Sequence, residues 1–229
     1  MFIQQFYDSR ERLQDVLAKH IALTLSQAIS HRGHATFVVS GGTSPVGVFH
    51  RLAATPIDWS SVTILPSDER WVPESDAASN AAMIRRELLK DHASKARFFS
   101  LYDDNVAFED AAEVMSDRVV ALPTPFDYVL LGMGSDGHTA SLFPDAADID
   151  AALSSRKACV LAEPPSQAQS RISLSPQALL NSVAIGILFF GQEKADVFAE
   201  ASLPGELNEY PVRVVLRQEL VPVTSYFAL

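Results

Sequence analysis

Residues 182–191 read SVAIGILFFG, residues 126–132 read FDYVLLG and residues 35–40 read ATFVVS. Runs this short and this apolar leave no side free for water, so each predicts a strand covered on both faces. SVTILP (61–66) and ACVLAE (158–163) read the same way. RFFSLY (97–102) and RISLS (171–175) are further strand candidates, and VRVVL (212–216) is expected to be the last strand. Segments with helical spacing lie between. Ser9 stands where a helix cap belongs, and Leu13, Val16, Leu17, Ile21, Leu25 and Ile29 follow on one helical face until Gly33 ends the pattern. Further helices are expected over VGVFHRLAA (46–54), 80–89, 108–122 and 192–202. Buried strands alternating with helices imply a parallel sheet with helices on both faces, and in such sheets ligands bind beyond the carboxyl ends of the strands.

The 229 residues, 48% of them apolar, suit one α/β domain spanning 1–229 with a substantial core. No apolar run approaches the roughly 20 residues that a membrane span needs. The N-terminal MFIQQFYDSRERLQ lacks the basic-then-apolar order of a secretory leader. Cys159 is the lone cysteine, so no internal disulfide forms, and a reduced cytoplasmic setting is expected. A formal net charge of −10 argues against nucleic acid and anionic membrane as partners. It leaves room for a small phosphorylated ligand held by a few local cations and backbone amides.

The polar clusters fall where the sheet rule wants them, just past strands. Gly41-Gly42-Thr43-Ser44-Pro45 follows the first. Two glycines allow a sharp turn, two hydroxyls are on offer, and Pro45 suits the first position of a helix whose free amides can seat a phosphate. The alternative is an ordinary strand-to-helix turn. It is not a Walker A loop, since no Gly-Lys-Ser/Thr follows. Asp68-Glu69-Arg70 follows another strand. Arg70 there can hold a phosphate or polarise a carbonyl, against the alternative of a solvated salt-bridge cluster. Arg171 and Lys194 are further candidate phosphate cations.

LLGMGSDGHTASLFP (130–144) fits the GxGxxG spacing of dinucleotide loops. That loop needs its third glycine to open a long helix, and here His138 follows Gly137 directly and Pro144 interrupts soon after. A tight glycine-bracketed turn holding Asp136 and His138 at the sheet edge is the expected alternative. A histidine titrates near neutral pH, and a neighbouring carboxylate can orient it as a base. Other chemistries have less support. The Gly42–Gly47 stretch has the wrong spacing for a nucleophile elbow. His31 and His34 sit near a helix C-terminus with no evident third ligand. Cys159 lies within an apolar strand and reads as buried and inert.

Taken together, VSGGTSP, SDERWVP, the following Ser79-Asn80, LGMGSDGHTASLFP and PPSQAQSRISLS resemble, in the same order, the motifs of 6-phosphogluconolactonases. The resemblance runs from about residue 10 to about residue 215. It implies an α/β fold with an open, mostly parallel twisted sheet and helices on both faces, Rossmann-like, as in glucosamine-6-phosphate deaminase. It implies hydrolysis of 6-phospho-D-glucono-1,5-lactone, a small phosphorylated sugar lactone, with no cofactor and no metal. By the same resemblance His138 is the general base toward water and Asp136 supports it. Gly41, Gly42, Thr43, Ser44, Arg171 and Lys194 form the phosphate site, with Gly134 among the substrate-binding positions. Arg70 faces the substrate, and Asp68 aligns with a catalytic carboxylate of the related deaminases. Extra residues before Arg171, and a C-terminal VPVTSYFAL without the tryptophan and aspartate often found there, depart from the pattern.

The expected reaction is direct attack by water. His138 takes the water proton, backbone amides of the glycine loops or Arg70 stabilise the charge on the carbonyl oxygen, and the protonated histidine donates to the ring oxygen. Two rivals stand beside it. One is a sugar-phosphate isomerase or deaminase, but deaminases continue DGHIAFNEP, and Phe143 takes the place of their ring-opening glutamate. The other is a non-catalytic sugar-phosphate sensor. The chain is expected to be a monomer or a weak homodimer.

Overall fold

The computed structural model describes residues 2–229. The chain opens with β1 (Phe2–Tyr7), α1 (Arg10–Arg32), β2 (Ala35–Val39), α2 (Val46–Ala53) and β3 (Val62–Pro66). It continues through β4 (Asp68–Arg70), α3 (Asn80–Glu87), β5 (Arg97–Phe98), α4 (Phe108–Val120), β6 (Tyr128–Gly132) and α5 (Ile149–Leu153). The last third holds β7 (Cys159–Ala162), β8 (Arg171–Leu174), α6 (Pro176–Leu180), β9 (Ile185–Phe190), α7 (Gln192–Ser202), α8 (Arg213–Leu216) and β10 (Val223–Ala228). Seven strands form one sheet in the order β1-β10-β9-β6-β2-β3-β5, and every neighbouring pair runs parallel. The fold is the expected α/β class.

The apolar runs are buried because both faces are covered. Successive strand side chains point to opposite faces. Along β6, Tyr128 and Leu130 join the core made with α1, α2 and α3, while Val129 and Leu131 join the core made with α4, α7 and α8. α1 starts as its sequence predicts, with Ser9 Oγ accepting the Arg12 amide at 3.2 Å, and Gly33 closes it on the Ile29 carbonyl. Val16, expected on its apolar face, is instead exposed. No helix among the described residues is long and apolar enough to cross a membrane.

The winding of the chain makes the crevice. From β2 it proceeds to β3 and β5 on one side; it then returns to the other side of β2 as β6 and goes on through β9 and β10. Connections leaving β2 and β6 therefore part in opposite directions and open a cleft at their carboxyl ends. A second, antiparallel sheet, β4-β8-β7, borders that cleft. Ser67 ties the two sheets together: its amide donates to Val39 O and its carbonyl accepts the Leu174 amide, both at 2.8 Å.

Four expectations need correction. Residues 212–216 are not a strand. Arg213 is buried, with Nε on the Ala201 carbonyl at 3.2 Å and Nη1 on the Glu206 carbonyl at 2.6 Å, while the Val212 amide donates to Gly137 O. Those tertiary bonds turn a β-branched segment into the short helix α8. Its place in the sheet goes to β10, paired with an N-terminal strand that was not anticipated. Of 97–102, only Arg97–Phe98 pairs. ACVLAE and RISLS are strands, but of the small sheet, with Asp68–Arg70 as their third member.

Candidate active site

The cleft holds a cavity of about 260 Å³. Four strand ends feed it: the GGTSP loop after β2, β4 after β3, the Met133–His138 turn after β6 and Lys194 after β9. β8 adds Arg171 and the first residue of α3 adds Asn80.

The cleft presents free backbone amides and cationic side chains. The backbone amides of Gly42, Thr43 and Ser44 donate to no protein acceptor among the described residues and sit ahead of the α2 N-terminus. Such amides, with the positive end of the helix dipole, attract phosphate. Gly41 is required by contact: a Cβ there would overlap the Asn80 carboxamide, itself fixed by donating to Asp68 O at 2.8 Å. Opposite the loop, Arg70 and Arg171 face each other directly across the β4–β8 pair. Like charges in that register repel. Arg171 is 5% exposed, with Nη2 donating to Gln167 Oε1 at 2.7 Å and Nη1 3.9 Å from Asp68 Oδ2. Arg70 Nη1 donates to the Ala78 carbonyl. The Nε of each arginine is buried with no partner among the described residues. Burial pulls the Arg171 guanidinium below its ordinary value, with Asp68 opposing and Arg70 adding to the fall. Lys194 Nζ donates to Met133 O at 2.7 Å; burial lowers its ammonium, and Glu193 and Asp136 hold it up.

The Met133–His138 turn contributes a paired carboxylate and imidazole. His138 Nδ1 lies 2.6 Å from Asp136 Oδ1, which also accepts the His138 amide at 3.1 Å. Burial pushes the Asp136 carboxyl up, but the bonds and charge of His138 outweigh it and hold the group below the usual carboxylate range. An ionised carboxylate only accepts, so Nδ1 carries a proton, which in a neutral imidazole leaves Nε2 as the acceptor. His138 lines the cavity, whereas Asp136 stands behind it. The turn is closed by the Gly134 amide on the His138 carbonyl at 2.9 Å and the Gly137 amide on the Gly134 carbonyl at 3.1 Å. No helix starts at Gly137; the next begins at Ile149, so the dinucleotide alternative falls with its helix.

Asp68 and Glu69 part company. Asp68 lines the cavity but its oxygens are occupied, accepting Ser67 Oγ at 2.9 Å and Ser141 Oγ at 2.6 Å. Glu69 is fully buried rather than a solvated ion-pair residue. It accepts the amides of Asn80 at 2.7 Å, Ala81 at 2.6 Å and Arg70 at 2.8 Å, and so anchors the α3 N-terminus. Burial raises its carboxyl against those three amides.

Sequence reasoning missed Ser141, Ala140 and Asn80 as site residues. Ala140 lines the cavity in a left-handed backbone conformation, φ 50, which a residue with a Cβ adopts only under constraint from its neighbours. Thr139 Oγ1 on Gly132 O and Ser141 Oγ on Asp68 clamp it from both sides. The Ser79-Asn80 and DGHTASLFP motifs contain these positions, but nothing in the sequence assigned them a role. Outside the cleft, His34 Nδ1 contacts the Arg32 carbonyl. Cys159 is buried, its thiol pushed up to about 12 by burial against the pull of Ser116. Among the described residues no three His, Cys, Asp or Glu side chains converge as a metal site would need.

Residues 8–223 match the family model described as glucosamine-6-phosphate isomerases/6-phosphogluconolactonase. A Pseudomonas aeruginosa protein named 6-phosphogluconolactonase is 42% identical over 207 residues, 89% of this chain and 87% of its own. A Rhizobium meliloti protein of the same name is 35% identical over 97% of both chains. Among solved structures, a 6-phosphogluconolactonase from Shewanella baltica superposes with a TM-score of 0.97 at 37% identity, covering 100% of this chain and 98% of the other. A monomeric glucosamine-6-phosphate deaminase shares the fold, with a TM-score of 0.81 at 18% identity over 97% of this chain and 96% of its own.

Proposed function

The chain belongs to the glucosamine-6-phosphate isomerase/6-phosphogluconolactonase family, and from that premise we propose how its cleft hydrolyses 6-phospho-D-glucono-1,5-lactone to 6-phospho-D-gluconate, the second step of the oxidative pentose phosphate pathway. The observation that carries the reading is the Asp136–His138 pair at 2.6 Å on a cavity that is also lined by buried Arg171, half-buried Arg70 and a loop with unbonded amides.

The phosphate docks on the amides of Gly42–Ser44 with Arg171, Arg70 and Lys194 around it. That anchoring fixes the ring and sets the carbonyl carbon beside His138. Water gives a proton to Nε2 as its oxygen bonds to the carbonyl carbon. Asp136 stabilises the imidazolium that forms. Negative charge on the carbonyl oxygen falls to backbone amides of the glycine turns or to Arg70. The ring C–O bond then breaks, and His138 returns the proton to the departing ring oxygen. Proton transfer of this kind contributes roughly 10²–10⁴-fold. Asp68, with both oxygens engaged, holds Ser141 and the turn rather than moving a proton. No metal and no cofactor enter the scheme. Phe143 offers no carboxylate for ring opening, which favours hydrolysis over deamination. The reading extends to one domain acting in the cytoplasm as a monomer or weak homodimer, in keeping with a lone buried thiol.

The experiment is proton release from freshly made 6-phosphogluconolactone, with spontaneous opening subtracted. His138→Ala should lose about 10²–10⁴-fold in turnover and still bind 6-phosphogluconate. Turnover near wild type in the variant removes His138 as the base. Binding without any acceleration by wild type turns the protein into a sugar-phosphate sensor.

A further inference from the structure

Phe143 lies where two working side chains meet. Its ring centroid is 4.1 Å from that of His138, with the planes 31° apart, and the Arg171 guanidinium carbon is 5.1 Å from it. The ring is fully buried, held by a small apolar cluster with Ala146, Ile149 and Val160 that is separate from the two main cores. Close-packed groups of this kind transmit displacement rather than absorb it.

Arg171 meanwhile is incompletely held. One terminal nitrogen is on Gln167, the other stays 3.9 Å from Asp68, and the buried Nε has no partner. A dianion that takes Nε–H fixes the guanidinium plane, hence the ring against it, hence the imidazole against the ring. We propose that Phe143 is a positioning residue that carries occupancy of the phosphate site to His138, so that a phosphate-class dianion accelerates lactone hydrolysis even when it is not attached to the sugar. The inference rests on His138 as the base and Arg171 as a phosphate ligand. Its physical content is that binding energy from a non-reacting part of the substrate is used at the reacting centre. The chemical step is unchanged. Water's oxygen bonds to the carbonyl carbon, the ring C–O bond breaks, the proton travels through His138 to the ring oxygen, and the dianion is not consumed.

The test uses the full chain, unphosphorylated glucono-1,5-lactone and a series of inorganic phosphite concentrations, with enzyme-free opening subtracted at each. Wild type should show saturable activation of roughly 5–150-fold, the usual range for coupling between two sites. Half-saturation should match the phosphite Kd measured by calorimetry. In Phe143→Leu phosphite should still bind, but the activation should collapse; with the phosphorylated lactone the loss should appear in kcat, with KM little changed. Phosphite binding without activation in wild type overturns the proposal while leaving the phosphate site standing. Full activation in Phe143→Leu overturns it too. Should that variant fail to fold, the wild-type series still decides, and Phe143→Met repeats the comparison. Absence of phosphite binding, or wild-type turnover in His138→Ala, overturns the underlying functional reading as well.

Discussion

At the scale of single residues, the decisive one has no side chain. A Cβ on Gly134 would stand well inside contact distance of His138 Nδ1 and Cε1 and of Asp136 Oδ1. The glycine is thus the space that the Asp136–His138 pair occupies. Gly134→Ala meets side-chain atoms that can swing away, so the fold should survive while His138, the proposed base, is displaced. A shift of about 1 Å in a catalytic group can lower rate by roughly 10²-fold. The expectation is a kcat reduced by about that factor, with 6-phosphogluconate binding retained because Arg70, Arg171 and the Gly42–Ser44 amides, the proposed phosphate ligands, lie on other elements. Steady-state kinetics beside ligand titration checks it. A variant with unaltered kcat would mean that the observed His138 orientation is not the working one.

At the scale of elements, charge behaves differently from place to place. Asp103, ahead of α4, accepts the Asn105 amide at 3.0 Å, Arg118 of α4 at 2.7 Å and the Asn105 side chain at 3.0 Å, which hold its carboxyl down at about 2. A carboxyl lower in the folded chain than its ordinary 3.8 stabilises the fold above that value, and the contribution disappears as pH falls toward about 2. Asp103→Asn should therefore have a lower melting temperature than wild type near neutral pH, and the two curves should converge in that acid window. Parallel curves down to pH 2 would remove Asp103 from acid unfolding. Charge also explains what the sequence could and could not reveal. The apolar runs of β2, β3, β6 and β9 were legible because burial on both faces leaves a one-dimensional trace. DER was readable as a candidate site but not as a strand. Its carboxylates are buried against Ser67, Ser141 and the α3 amides, partners that lie up to 73 residues away in the chain. VRVVL misled for the matching reason: its local preference is for a strand, and carbonyls reached by the buried Arg213 overrule it. The motifs marked most of the residues that line the cleft. The clamp of Ser141 and Asp68 on Ala140 joins residues of two quoted motifs, but the contact itself, 73 residues apart, was not legible from either one.

At the scale of the whole molecule, a chain of net charge −10 places Arg70, Arg171 and Lys194 around one cleft, and Arg70 and Arg171 face each other across the β4–β8 pair. The free protein bears that repulsion, eased by the Asp68 and Glu69 carboxylates and by bonds to Ala78 and Gln167. On the proposed reading a bound phosphate offsets it and offers acceptors to the two buried Nε–H groups, which would link binding to folding through this pair. A ligand at a hundredfold excess over Kd stabilises the native state by about 2.7 kcal/mol. In a chain of this length that raises the melting temperature by about 5–10 °C. 6-Phosphogluconate should produce such a shift in wild type, unphosphorylated gluconate should not, and Arg171→Gln should lose most of it. Equal shifts from the two sugar acids would mean that the cleft grips the sugar rather than the phosphate. A shift that survives in Arg171→Gln would leave the loop amides and Lys194 as the anchor, and the facing arginines would then serve the lactone carbonyl instead.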